Sequence, residues 1–308
     1  MLNFDHKAQV FKNKVLQTML NDEGFAVLDF LNEAELQRLH EAYARLHTQG
    51  INGFYTSTFS KDLDYRKTVD DLVRTEMQRG LEHYFYNYKV HCGSFIIKGS
   101  DEKSALKMHQ DMTLVNESVY TGVNIWIPLV DLNNENGAIA LLPKSHRLFK
   151  TYRGASLPDI YDGIEESVYK IMKPFYLKAG QAIVFDQSII HCSPVNQSNK
   201  PRPVINTFIT HRDAEIQICY RDKTSNRQEV ELFEQAPDFM VNFQNFGHDI
   251  FNRPAIGKSI GFVPYSFPKI TPALLEQEYG FKEPRAVQAK TPVRKPFFDL
   301  FKKIFSGS

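Results

Sequence analysis

The chain has 308 residues, of which 42% are hydrophobic and 24% charged, values ordinary for a soluble globular protein of one large or two small domains. Its 37 basic and 36 acidic residues leave a formal net charge of +1. This balance argues against nucleic acid as a primary partner, because proteins that bind nucleic acid usually carry a basic surface.

The three cysteines, Cys92, Cys192 and Cys219, cannot all pair with one another, and a core of this size needs no disulfide. They favour a reducing compartment. The first residues lack the apolar run of a signal peptide, and no window approaches the roughly 18 apolar residues of a membrane span. We therefore expect a cytoplasmic protein with no transmembrane segment.

The first 88 residues are predicted to be mainly helical. A short helix is expected over 9–20 and a strand over 24–29. Asn32 with Glu35 forms a candidate capping box for a helix that keeps apolar spacing to about His47. A second long helix is predicted over 65–86. The polar, aromatic stretch 50–64 between them is a candidate cover for a site.

From residue 89 the sequence alternates as strands do, with turns about every ten residues, a pattern typical of a sandwich or closed jelly roll. Residues 150–171 form an insertion that either borders a cavity mouth or runs over the surface. We predict one domain over 1–285, mainly β with flanking helices, with a jelly-roll core at about 89–215.

The last stretch, 286–308, reads as a linker followed by a short amphipathic tail. Phe297, Phe298, Phe301, Ile304 and Phe305 share one helical face. Nine residues make a marginal helix alone, so the tail must dock on something to persist. The sequence leaves three docking partners possible for this tail: its own domain, a twin subunit or a membrane surface.

The most informative pattern is His109 with Asp111, followed 80 residues later (191 − 111) by His191. Two histidines and one carboxylate can hold one face of an octahedral iron(II) ion and leave the other face open. Residues i and i+2 of a strand share a side, so His109 and Asp111 can reach one ion. Arg202, eleven residues after His191 (202 − 191), supplies a planar cation suited to a carboxylate. The pattern predicts iron and a dicarboxylate co-substrate.

Several blocks in the same order give the chain a wider resemblance. The first group is Met108-His109-Gln110-Asp111, Trp126-Ile127-Pro128-Leu129, Glu135-Asn136-Gly137-Ala138 and Leu142-Pro143-Lys144-Ser145-His146. The second is Ala179-Gly180-Gln181-Ala182-Ile183-Val184-Phe185-Asp186, His191-Cys192-Ser193-Pro194, Asn196 and Pro201-Arg202-Pro203, with Asp22-Glu23-Gly24-Phe25 near the amino terminus. These resemble the phytanoyl-CoA dioxygenase family of iron(II)/2-oxoglutarate-dependent oxygenases over about residues 15–215.

The resemblance implies a double-stranded β-helix, the cupin-like jelly roll, and a role for each matching residue. His109, Asp111 and His191 would ligate iron(II), while Arg202 and Ser193 would hold the distal carboxylate of 2-oxoglutarate. Trp126 and Gln110 would line the co-substrate pocket. Halogenating relatives carry a small residue in place of the carboxylate, so Asp111 favours hydroxylation with O2, releasing succinate and CO2.

Two other classes of function compete with a hydroxylase. A binding protein on the same fold would keep the shape and lose turnover, but such proteins usually lose part of the ligand set. A zinc hydrolase would also use two histidines and a carboxylate, but it leaves Arg202 and Ser193 unexplained. An acyl-CoA hydroxylase is a third alternative, which the lack of a basic cluster disfavours.

The substrate is expected to be a small molecule, such as an amino acid or a natural-product intermediate. Tyr55, Lys61, Arg66 and Arg153 are expected in loops around the mouth, which suggests a substrate with a carboxylate or other polar group. His146 and Asp186 are expected to be structural turn residues. Cys192 is expected to point away from the ligands and pack.

Overall fold

The computed structural model describes residues 7–242 and 251–281. The chain divides into two compact units, Met1–Thr271 and Pro272–Ser308. In the second unit the described structure is one helix, α6 (Pro272–Tyr279). The amphipathic tail predicted within 286–308 lies outside the described residues and stays a prediction.

The amino-terminal part alternates helices with two short strands: α1 (Lys14–Glu23), β1 (Phe25–Asp29), α2 (Glu33–Leu46), β2 (Phe54–Thr56) and α3 (Leu63–Tyr84). The first helix begins later than predicted, because Asn13 caps it by accepting hydrogen bonds from the backbone N–H groups of Val15 and Leu16. The capping box of Asn32 and Glu35 is confirmed, since each side chain accepts from the other residue's backbone N–H.

The remaining strands are β3 (Tyr88–Lys98), β4 (Leu106–His109), β5 (Val123–Pro128), β6 (Ala140–Leu141), β7 (Lys173–Pro174), β8 (Gln181–Asp186), β9 (His191–Ser193), β10 (Arg202–His211), β11 (Gln217–Tyr220), β12 (Glu229–Glu234) and β13 (Lys258–Pro264). Short helices α4 (Glu165–Ile171) and α5 (Phe239–Asn242) lie between them. The described strands form three antiparallel sheets: a major sheet β1-β8-β5-β10-β3-β2, a minor sheet β4-β9-β6-β7, and a small sheet β11-β12-β13.

The major sheet is buried on both faces, so its central strands are almost continuously apolar. Ile125 and Ile205 point to one face and pack with Val73 and Met77 of α3. Trp126 and Val204, one residue away on the same strands, point to the opposite face and pack with residues of the minor-sheet side, such as Leu141 and Ile189. Each fully buried aliphatic side chain contributes roughly 1.5–3 kcal/mol relative to an exposed one.

This pairing of a helix-backed sheet with a smaller sheet confirms the prediction of a mainly β jelly-roll core with flanking helices. It encloses an interior between the two sheets, where ligands from distant parts of the sequence can meet. Among the described residues, no helix is both long and apolar enough to cross a membrane. The three cysteines are buried and free.

Within the stretch 50–64, a candidate cover for a site, the structure has a short strand. Residues 54–56 pair with β3 and extend the edge of the major sheet, with Phe54 opposite Lys98 and Tyr55 opposite Ile97. The alternation of the strand then turns Tyr55 toward the helices, where it packs against the core. Arg66, also expected at the mouth, lies within α3 and is buried.

Candidate metal centre

The three residues predicted as metal ligands come together in space. One nitrogen of His109, one of His191 and one carboxylate oxygen of Asp111 all lie within 4.8 Å of one another. His109 Nε2 is 3.7 Å from Asp111 Oδ1, and His191 Nε2 is 3.9 Å from Asp111 Oδ2. Residues separated by 80 positions (191 − 111) therefore converge on one point.

Antiparallel pairing of β4 with β9 explains how the two histidines meet, because His109 and His191 are opposite each other in the register. The two imidazole rings lie 4.1 Å apart between centroids. The expectation that Asp111 shares a strand with His109 was wrong, since β4 ends at His109. Asp111 lies in the following loop, where its backbone N–H donates to the carbonyl of Gln187 at 3.0 Å.

Each imidazole is oriented by a backbone carbonyl. His109 Nδ1 contacts the carbonyl of Lys107 at 2.8 Å, and His191 Nδ1 contacts the carbonyl of Ile189 at 3.0 Å. A carbonyl only accepts, so Nδ1 carries the proton and Nε2 presents a lone pair to the site. Desolvation, together with the neighbouring His191, lowers the pKa of His109 to about 4. The imidazole is thus neutral at pH 7, the form that binds a metal.

The turn between β8 and β9 holds the ligand segments together. Three successive carbonyls of this turn accept hydrogen bonds from the site. The carbonyl of Gln187 accepts from the backbone N–H of Asp111, and that of Ser188 accepts from the side-chain amide of Gln110 at 2.5 Å. The carbonyl of Ile189 accepts from Nδ1 of His191. Asp186 fixes the turn by accepting from the Ser188 backbone at 2.8 Å and hydroxyl at 2.5 Å. The prediction of Asp186 as a turn residue is confirmed.

Two asparagines support the carboxylate of Asp111. Asn124 on β5 donates to Asp111 Oδ2 at 2.5 Å, and Asn206 on β10 donates to Asn124 Oδ1 at 3.3 Å. Neither asparagine was predicted from the sequence as part of the site. The sequence did contain a signal for Asn124. It is a polar residue in an otherwise apolar strand, and it lies two positions before Trp126 and therefore on the same face.

Arg153 supports Asp111 from the insertion, which corrects its assignment as a contact for substrate at the mouth. Its Nε donates to the carbonyl of Asp111 at 2.7 Å, and its Nη1 donates to Glu117 at 2.9 Å and to the Thr151 hydroxyl at 3.0 Å. The guanidinium is buried and paired, so it is committed to holding the backbone. The insertion also packs on β4, since the Tyr161 hydroxyl donates to the carbonyl of Met108 at 2.8 Å.

Arg202 begins β10 and is almost fully buried, at 1% exposed. Its Nε and Nη1 have no hydrogen-bond partner among the described residues. Its Cζ lies 5.1 Å from the centroid of the Trp126 ring, an arrangement that supports the guanidinium plane. Burial lowers the pKa of Arg202 to about 9. A buried guanidinium with free donors is costly unless an anion occupies the space beside it.

The other predicted residues lie as follows. Ser193 is buried on β9, two residues after His191 and on the same strand face. Gln110 directs its amide to the turn rather than leaving it free. Cys192 points the other way, with its Sγ 3.6 Å from the sulfur of Met172, and His146 Nε2 lies 3.0 Å from the carbonyl of Asn21. Both agree with the structural roles expected for them.

The family model described as phytanoyl-CoA dioxygenase (PhyH) matches residues 20–204, more than half of the chain. The chain belongs to the phytanoyl-CoA dioxygenase family of iron(II)/2-oxoglutarate-dependent oxygenases. No curated protein matches it in sequence.

Three solved structures illustrate what the chain is similar to. The carbocyclase SnoK from nogalamycin biosynthesis, a non-heme alpha-ketoglutarate-dependent enzyme, is 16% identical, with a TM-score of 0.47 over 66% of this chain and 86% of that one. EvdO2 from Micromonospora carbonacea var. aurantiaca is 16% identical, with a TM-score of 0.47 over 67% and 93%. EctD from S. alaskensis, solved with 2-oxoglutarate and 5-hydroxyectoine, is 17% identical, with a TM-score of 0.47 over 70% and 83%.

Proposed function

We propose that this protein is an iron(II)/2-oxoglutarate-dependent dioxygenase that hydroxylates an unactivated C–H bond of a small molecule. The observation that carries the proposal is the convergence of His109, Asp111 and His191 within 4.8 Å, in a fold interior that also contains the buried, unpaired Arg202. The two histidines and Asp111 suit an iron(II) ion, and the guanidinium of Arg202 suits a carboxylate. Family membership supports the same assignment.

The donor set fits a catalytic iron(II) site with open positions better than a structural metal site, in which the protein supplies every ligand. Two imidazoles and one carboxylate would fill three positions on one side of the ion and leave the others for co-substrate and O2. The side chains of His109 and Asp111 are 24% and 28% exposed, against 6% for His191. The open side of the site therefore lies toward His109 and Asp111, where substrate can approach.

The buried guanidinium fits the distal carboxylate of 2-oxoglutarate. Arg202 presents free N–H donors in a planar fork, and a carboxylate would satisfy both the hydrogen bonds and the charge. Ser193, on the same strand face as His191, is proposed as a second donor to that carboxylate. Trp126 would line the pocket under the guanidinium, and Gln110 would line the side next to the ligands.

Iron(II) bound with 2-oxoglutarate and O2 supplies the oxidation, in which 2-oxoglutarate becomes succinate and CO2 and one oxygen atom enters a C–H bond. The chain's own residues supply aim and shelter. Arg202 and Ser193 set the orientation of the co-substrate, the two asparagines and Arg153 hold Asp111, and the apolar inner face excludes water. No side chain is required as a general acid or base.

We propose a small polar substrate, with the insertion 150–171 as the selecting element because it packs on β4 beside His109. Neither Arg66 nor Arg153 is free to bind a CoA phosphate, because both already have partners. This supports an amino acid or a natural-product intermediate over an acyl-CoA ester. The presence of Asp111 supports hydroxylation over halogenation, which needs that position vacated for halide.

The test is anaerobic. Iron(II) and then 2-oxoglutarate are added to metal-free protein, and the visible charge-transfer absorption of the chelate is recorded. We expect a band in the wild-type protein and none in Asp111→Ala, with Cys192→Ala as a matched control that keeps the band. Metal binding without the band would contradict the proposal and favour a zinc site or a non-catalytic binding protein. Succinate release during a screen of small molecules then identifies the substrate.

A further inference from the structure

Lys98 ends strand β3 and is fully buried, with 0% of its surface exposed. Lysines are rarely buried to this extent unless their charge is paired. In the register of β3 with β10, Lys98 is the cross-strand partner of Arg202. Directly opposed residues of an antiparallel pair project to the same face of the sheet, so both cations enter the same interior.

The ammonium of Lys98 is bound entirely by backbone carbonyls. Its Nζ donates to the carbonyl of Ser193 at 2.9 Å and of Pro194 at 2.7 Å, and also to that of Ser104. An ammonium has three hydrogens, so these bonds use its full donor capacity. Lys98 therefore does not have a hydrogen left for a ligand.

The three carbonyls belong to the segments that carry the candidate site. Ser104 lies just before β4, which leads to His109, and Ser193 and Pro194 follow His191 on β9. Lys98 itself pairs with Arg202 on β10. One side chain thus joins the minor sheet, which carries the histidines, to the strands of the major sheet that position the guanidinium.

Close packing leaves the lysine little freedom. A Cβ placed on Gly137, where φ is +73°, would lie 2.7 Å from the Pro194 carbonyl and 3.0 Å from Lys98 Cδ. From the other side, the Asn196 amide donates to the Lys98 carbonyl at 3.3 Å. The packing around Lys98 therefore restricts its side chain to one conformation.

The charges of Lys98 and Arg202 also lack a counter-ion. Within residues 7–242 and 251–281, neither forms an ion pair with a carboxylate. Burial and the neighbouring charge of Arg202 lower the pKa of Lys98, but three carbonyl acceptors around Nζ call for three N–H donors and so hold the ammonium form. Two buried cations side by side are unfavourable alone and become favourable when an anion binds between or beside them.

We propose that Lys98 is a positioning residue for the dicarboxylate co-substrate: it fixes Ser193 and Arg202 around one anion and adds a second positive charge behind them. The inference rests on the proposed function. It differs from a purely structural role in one measurable respect. Lys98 should favour a 2-oxo acid that has a distal carboxylate over one that lacks it.

The experiment compares 2-oxoglutarate with 2-oxobutyrate, a monocarboxylate that keeps the chelating end and lacks the distal carboxylate. Dissociation constants are measured anaerobically on the full chain loaded with iron(II), for wild type, Lys98→Met, Arg202→Met and the double variant. Lys98→Met keeps an unbranched apolar stem and removes the charge and its three hydrogen bonds. Val69→Ala, a core change on the opposite face of the major sheet, is the control for lost stability.

We expect Lys98→Met to weaken 2-oxoglutarate binding by about tenfold or more, the scale of losing a buried charge contact, and to change 2-oxobutyrate binding by about twofold at most. With Arg202 already replaced, Lys98→Met should have a smaller effect, because the two residues act on one group. Val69→Ala should lower the melting temperature and leave the selectivity ratio unchanged.

An unchanged selectivity ratio in a folded Lys98→Met protein overturns the inference and leaves the proposed function standing. If the wild-type protein itself fails to distinguish the two acids, both fail. If Lys98→Met does not fold, Lys98→Gln decides, since it removes the charge and keeps two side-chain N–H donors for the carbonyls. A fall in the selectivity ratio of Lys98→Gln at near wild-type stability supports the inference, and a wild-type ratio overturns it.

Discussion

Asn124 and Asp111 are joined by a hydrogen bond of 2.5 Å from the asparagine side-chain amide to Oδ2 of the carboxylate. Asn124 lies on a central strand of the major sheet, whereas Asp111 lies in a loop after β4. The bond therefore holds a candidate metal ligand, which lies on a loop, to a central strand of the major sheet. Asn206 donates to the carbonyl oxygen of Asn124, which orients the amide so that its NH2 group faces Asp111.

Replacing Asn124 with alanine should weaken iron(II) binding by about 10–100-fold, the usual effect of losing a residue that orients a metal ligand. The affinity can be measured by competition with a coloured chelator under anaerobic conditions. Asn206→Ala should weaken iron(II) binding less, because it removes the bond that orients the Asn124 amide and leaves the bond to Asp111. No loss in Asn124→Ala, or a larger loss in Asn206→Ala than in Asn124→Ala, would contradict this account.

Arg153→Met should destabilise the fold and disturb the site together. The guanidinium is 6% exposed and pairs with Glu117, so its loss leaves a mostly buried carboxylate without its partner. Breaking such a pair costs about 3–5 kcal/mol. The Asp111 carbonyl also loses its donor, so iron(II) affinity should fall. Urea denaturation and metal titration measure the two effects separately.

The double variant Arg153→Met with Glu117→Gln separates the two contributions. Neutralising the stranded carboxylate should recover much of the lost stability, since the unpaired charge is the larger cost. Iron(II) affinity should stay low, because the bond to the Asp111 carbonyl is still missing. Recovery of both would mean that Arg153 acts on the site only through overall stability.

The candidate ligand residues, which the structure brings together, could be predicted from the sequence because they carry distinctive chemistry. His109, Asp111 and His191 were identified by type and spacing, and Arg202 by its distance from the last ligand. Local signals were equally clear where one interaction decides the structure, as in the capping box at Asn32. The order of elements followed from hydrophobic periodicity.

What the sequence did not reveal depends on pairing between distant strands. The placement of Lys98 beside the site depends on the register that sets it opposite Arg202. The contact of Asn124 with Asp111 depends on β5 lying beside the loop that carries Asp111. Arg153 was expected in a loop around the mouth, and its pairing with Glu117, which lies 36 residues away (153 − 117), gave no local signal. Tertiary contacts of this kind leave no periodic pattern along the chain.

Gly80→Ala tests the contact between α3 and Phe30, the residue that follows β1. A Cβ at Gly80 would lie 2.4 Å from Cε1 of the buried Phe30 ring, so the helix and the ring cannot both keep their places. Overpacking costs about 1–3 kcal/mol, against a gain of about 1 kcal/mol in helix propensity. We expect a net loss of stability by thermal melting. Gly50→Ala is the control, since nothing lies within 4 Å of its added Cβ.

His91 gives the fold a pH dependence that is separate from the candidate metal centre. It is 1% exposed, and its Nε2 lies 2.8 Å from the hydroxyl of Thr210. Burial, together with the charge of Lys89, lowers the pKa of His91 to about 4. In the unfolded chain the pKa returns to about 6.5. Between these values the unfolded state binds more protons than the folded state.

Stability should therefore fall as the pH decreases from about 6.5 toward 4, with His91 accounting for about 2 kcal/mol between pH 7 and pH 5. His91→Gln keeps a hydrogen-bonding group and removes the titration, so its free energy of unfolding should change less over the same interval. Denaturant melts of metal-free protein at pH 5, 6 and 7 measure the difference. Parallel curves for the two proteins would show that His91 is protonated as readily in the folded state as in the unfolded one, and that its burial does not govern its charge.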